Sequence, residues 1–133
     1  MRLIVTSVTA AAALGLAACG SESSDSTASS GESASVARTE IGRTRAALRA
    51  ALATYTTGDA TAASDQVAEA YVSHFEDVER PLGKKDPELK ERLEHAISGE
   101  LRAHMKAHRP ARTIAREVAA IVTDLSEAEA ALR

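Results

Sequence analysis

Apolar residues recur every three or four positions in four separate stretches of this chain, and no stretch alternates with the two-residue period of a strand. The first, about residues 36–57, puts Ile41, Leu48, Leu52 and Tyr55 on one helical face and stops at Thr57-Gly58-Asp59. The second, about 60–80, aligns Val67, Tyr71, Phe75 and Val78, and Pro81-Leu82-Gly83 is expected to end it. The third opens on Asp86-Pro87-Glu88, an N-cap residue followed by a first-turn proline and a first-turn acid, and carries Leu89, Leu93, Ile97 and Leu101. Pro110 biases Arg109 away from helical angles, so the third helix should end there. The fourth, about 110–132, carries Ile114, Val118, Ile121, Val122 and Leu125. Four amphipathic helices with short connections cannot bury their faces singly, so the pattern predicts an all-α fold, an up-down-up-down four-helix bundle over residues 36–133.

The first 35 residues follow a different pattern. Arg2 precedes an apolar and small-residue run from Leu3 to Leu16, shorter than the roughly 20 residues a bilayer span needs, and Ala17-Ala18 stands before the chain's one cysteine. Leu16-Ala17-Ala18-Cys19 resembles a lipobox. The expectation is therefore a lipoprotein signal peptide over residues 1–18, with Cys19 lipidated and holding the chain to membrane lipid on the extracytoplasmic side. An ordinary secretory leader would leave a spare thiol in an oxidising compartment, and with one cysteine no internal disulfide can form. Residues 19–35 are almost all Ser, Gly, Glu, Asp, Thr and Ala, too polar to offset their conformational entropy by burial, and are expected to be a disordered tether. A flexible chain of that length reaches roughly 20–25 Å.

Cleavage would leave about 115 residues, enough for one small domain. Losing Arg2 with the leader takes the formal charge from −3 to −4, which argues against a nucleic-acid partner and against an electrostatic membrane patch. With no Trp, one Phe and two Tyr, the core must be built from Leu, Ile, Val and Ala.

Candidate chemistry lies where polar residues interrupt the apolar faces. At about 100° per residue, His74 falls inside the arc of Val67, Tyr71 and Val78, and Glu100, His104 and His108 fall within about 60° of Leu93. Residues four apart stand one turn apart on a helix, so Glu-x-x-x-His-x-x-x-His can offer two or three ligands to one ion. With His74 from the neighbouring helix, the set suits iron, copper or zinc. Each residue also has a structural reading: His74 as a hydrogen-bonded core histidine, His104 and His108 as cations near a helix C-terminus, and Glu100 as partner of Arg45, which interrupts the first helix between Ile41 and Leu48. Asp65, Glu69, Ser73 and Glu76 fall on the outer face of the second helix, and His95 also points outward. No Ser-His-Asp or Cys-His arrangement and no Gly-rich phosphate loop is present, so no catalytic residue is assigned and an enzyme is not expected.

The stretch Tyr55-Thr-Thr-Gly58-Asp59, then Ala70-Tyr71-Val-Ser-His74-Phe75-Glu76-Asp-Val78-Glu79-Arg-Pro-Leu82, then Asp86-Pro87-Glu88-Leu89 and Leu93-Glu94, resembles the extracytoplasmic helical domain of bacterial Ftr-type iron permeases. The likeness covers about residues 50–132 and is most distinctive at Phe75-Glu76-Asp-Val78-Glu79. It implies a role near iron or another divalent cation, with Glu76 and Glu79 as the matching acids. The chain lacks the Arg-Glu-x-x-Glu motif that crosses the membrane in that family, and none of its four histidines is followed by the His-x-x-Glu spacing of imelysin-type lipoproteins. The resulting expectation is a membrane-anchored extracytoplasmic lipoprotein that binds or presents a metal ion as accessory to an iron-uptake permease. The alternative is a metal-free helical module that docks to an envelope or membrane protein.

Overall fold

The computed structural model describes residues 25–133, with side chains from residue 31 onward. Residues 1–18, Cys19 and the first part of the expected tether lie outside the described residues.

Four helices make up the described chain: α1 (Asp25–Thr56), α2 (residues 60–85), α3 (residues 87–106) and α4 (Ala111–Ala131). Two of them contain a wider π turn, Tyr71–Phe75 within α2 and His95–Leu101 within α3. Among the described residues there is no strand, and no helix is long and apolar enough to cross a membrane. Side-chain links fix the directions. Glu40 of α1 meets His74 of α2, Tyr55 at the end of α1 meets Arg109 just before α4, and Arg45 of α1 meets Glu129 of α4. Arg92 and His104 of α3 meet Asp124 and Glu117 of α4. Low numbers therefore pair with high ones, and successive helices run antiparallel.

The core follows the predicted faces. Ile41, Leu48, Val67, Phe75, Val78, Leu93, Ile97, Leu101, Ile114 and Leu125 are all buried, joined by Leu82 and Met105, and Ala37, Ala51 and Ala63 let α1 and α2 approach closely. Leu52, Tyr71 and Val122 pack against this cluster while keeping an exposed edge.

The helix ends show where local signals won or lost. Gly58 adopts φ 101°, a conformation that favours glycine, and Asp59 Oδ1 accepts from Ala62 N at 2.9 Å, so the predicted stop and start between α1 and α2 both hold. Asp86 caps α3 in the same way through Leu89 N at 2.9 Å. Helix α1 starts at Asp25, upstream of residue 36, yet among the described side chains the first buried one is Ala37, close to where the apolar periodicity begins.

Two expected ends move. Helix α2 runs on through Pro81 to Lys85, because full burial of Leu82 outweighs the missing proline N–H. Helix α3 ends at Lys106 rather than at Arg109. There His108 N donates to Met105 O at 3.0 Å and Arg109 N to His104 O at 3.1 Å, the paired bonds of a Schellman turn, with His108 at φ 52°. That position normally takes glycine, which is why composition gave no warning.

Candidate functional site

The π turns govern where the polar intruders point. Each inserts one residue into the helical ladder, so every later side chain falls back by one position. On α3, Leu101 and Met105 thereby take the arc that straight-helix reckoning gives Glu100 and His104, and both are buried. Glu100 is turned outward and exposed, with its Oε1 3.4 Å from His95 Nε2, itself exposed. His104 sits at the edge of the α3–α4 seam, and His108, beyond the helix end, is exposed. The expected Glu100-His104-His108 stripe is not brought together.

On α2, Phe75 likewise takes the central position and His74 moves to the flank facing α1. Its side chain is 28 % exposed, and Nδ1 lies 2.9 Å from Glu40 Oε2. The Glu40 side chain is only 8 % exposed, and its other oxygen accepts from Arg43 Nη1 at 2.7 Å. Both carboxylate oxygens are thus partnered, which is what makes a buried acid tolerable. Sequence reasoning missed Glu40. Its signal was present: Ala37 and Thr44, both fully buried, lie three before and four after it, and counting them extends the buried face of α1 to Glu40.

A second pair of the same chemistry crosses from α3 to α4, where His104 Nδ1 stands 3.0 Å from Glu117 Oε1. Glu117 Oε2 is buried without a hydrogen-bond partner. Arg45 does not meet Glu100. It bonds Glu129 Oε2 at 2.8 Å, the Leu125 carbonyl at 3.0 Å and Ser126 Oγ at 3.2 Å, all on α4, so its partner is an acid the sequence reading did not weigh.

The acids carried by the family resemblance separate. Glu76 is exposed, while Glu79 is half-buried and accepts the Tyr71 hydroxyl proton in a short hydrogen bond. Burial of the phenol, the bond to Glu79 and the nearby charges of Glu79, Glu94 and Glu76 hold the Tyr71 pKa well above its ordinary value. Within α3, Lys90 pairs with Glu94 one turn on at 2.6 Å, and that bond raises the ammonium pKa. Among the described residues, no three His, Cys, Asp or Glu side chains converge as a metal-holding group.

The arrangement is therefore a set of separate polar links, some across helix seams and others within one helix. No family model, curated protein or solved structure matches this chain.

Proposed function

We propose that this chain is a membrane-tethered extracytoplasmic helical module that acts by contact with an envelope or membrane protein. The observation that carries the reading is that the inward-tending histidines, His74 and His104, are each committed to one carboxylate on a different seam. Such pairs fasten neighbouring helices, which leaves the outer faces for recognition. The lipobox-like Leu16-Ala17-Ala18-Cys19 supports the anchor, since acylation contributes about 0.8 kcal/mol per buried CH₂ and several chains hold a protein at the bilayer. Replacing Cys19 by Ser should move the chain from the membrane fraction to the soluble fraction, and unchanged sedimentation would count against lipidation.

The contact itself is tested by placing a photo-crosslinking residue at exposed positions, one variant per helix face, and irradiating intact cells. A discrete adduct from one face and not its neighbours is expected. Absence of an adduct from every face would overturn the reading.

A second reading, metal presentation, keeps one observation in its favour. In the stretch resembling iron permeases, the charges of Glu76 and Glu79 from α2 and of Glu94 from α3 all bear on the Tyr71 hydroxyl. A cation delivered there would have to displace Lys90 from Glu94. Metal binding lost in Glu79→Ala would favour this reading.

A further inference from the structure

Between Glu100 and Glu117 the chain holds five Lys or Arg residues and no acid. The fold gathers four of them, Lys106, Arg109, Arg112 and Arg116, at the end of the bundle where α3 turns into α4. All four are exposed, and none belongs to an ion pair among the described residues. Arginines at the start of α4 oppose the helix dipole, its first turn holds no acid, and Pro110 supplies no side-chain cap. Nearby acids do not relieve this charge: Asp59 caps α2, and Glu117 faces His104 inside the seam. The turn is also held rigid, because the Tyr55 hydroxyl donates to the Arg109 carbonyl at 2.5 Å and the Schellman bonds lock residues 107–109.

A cluster of like charges on a rigid turn, three guanidinium groups and one ammonium, departs from what local stability favours, and such departures gather at functional surfaces. Resting on the reading of the chain as an interaction module, we infer that this basic cap is the docking surface and that it receives a short acidic segment of a protein partner. Guanidinium forks match carboxylates in pairs. The cap is compact, whereas the chain as a whole is net negative and α2 exposes Asp65, Glu69 and Glu76, so a long polyanion running off the cap would meet repulsion. A lipid surface reached through the N-terminal anchor fits less well, because the cap lies at the Tyr55 end of α1, roughly 27 Å at 1.5 Å per residue from Ala37.

The test uses the mature chain, purified in neutral detergent, and a fluorescein-labelled dodecapeptide containing six glutamates, read by anisotropy at two salt concentrations. Wild type should bind with an affinity that falls steeply with salt, and the double variant Arg112→Glu with Arg116→Glu should bind at least tenfold more weakly. The double variant Arg80→Glu with Lys84→Glu makes the same charge change at the opposite end and should stay within twofold of wild type. The cap variant should keep its helical circular dichroism and melt no lower than wild type, since it places acid near a helix N-terminus. Equal loss in both double variants would overturn the proposal, as would tighter binding to polyphosphate or to phosphatidylglycerol vesicles than to the peptide. A photo-crosslinker at position 112 should give an adduct in cells. An adduct only from position 72, where Val72 is an exposed apolar side chain on α2, would overturn the cap while leaving the module reading intact, and no adduct from any face would overturn both.

Discussion

The α1–α2 seam and the α3–α4 seam are crossed by the same chemical link, a histidine Nδ1 about one hydrogen bond from a glutamate on the next helix, at 2.9 and 3.0 Å. They differ in depth and completeness. Glu40 is 8 % exposed with both oxygens bonded, whereas Glu117 is 27 % exposed and leaves one buried oxygen unpartnered. A carboxylate taken from water needs every lone pair answered before its link contributes to stability. The first link therefore fastens the bundle, and the second only closes its edge.

The largest test of that contrast is Glu40→Ala, which strands His74 inside the seam and frees Arg43. It should destabilise the fold by about 2 kcal/mol, less than a fully buried pair would lose because Arg43 is largely exposed. Urea titration with a two-state fit reads the loss directly. The matching change Glu117→Ala should cost about 1 kcal/mol or less, because it also removes an unsatisfied oxygen. Equal losses at both sites would break the contrast.

Tyr71 supplies a third link, within α2, that sharpens the comparison through pH. Its folded pKa is raised above the unfolded value near 10, so the folded state holds its proton longer than the unfolded chain does. The stability this contributes is fully present below about pH 10 and is lost as pH rises from there toward the folded pKa. Melting temperature should fall as pH rises through that window, while tyrosinate absorbance from Tyr71 grows. Tyr71→Phe should remove this part of the slope and cost about 0.5–1 kcal/mol at neutral pH through the lost bond to Glu79. The smallest expected effect is at the basic cap, where Arg112→Glu should raise stability by about 0.3–1 kcal/mol at low salt.

Much of the fold was legible in the sequence. Leu89, Leu93, Ile97 and Leu101 marked the buried face of α3, and Gly58, Asp59 and Asp86 marked helix ends through angles and caps that those residue types favour. Asp65, Glu69, Ser73, Glu76 and His95 are exposed as their positions on the helices suggested, whereas Glu100 and His104 were placed inward because straight-helix geometry fails at the π turns. Leu89, Leu93, Ile97, Leu101 and Met105 are spaced by four throughout, as are Ala63, Val67, Tyr71 and Phe75. A straight helix of 3.6 residues per turn would carry such a stripe around its side, so unbroken fours were the available sign of a wider turn. Overlooking it placed Glu100 inward. Glu40 was missed for another reason: a face drawn from large apolar residues alone begins at Ile41, although Ala37 and Thr44 continue it.

The central claim is that His74 and His104 serve as links between neighbouring helices and not as ligands of a metal. The most direct measurement is bound metal per mature chain after loading with ferrous, ferric, zinc or copper ions and gel filtration. The account predicts far less than one equivalent for every ion, unchanged in His74→Ala and His104→Ala. One equivalent of any ion, lost in either variant, would contradict it.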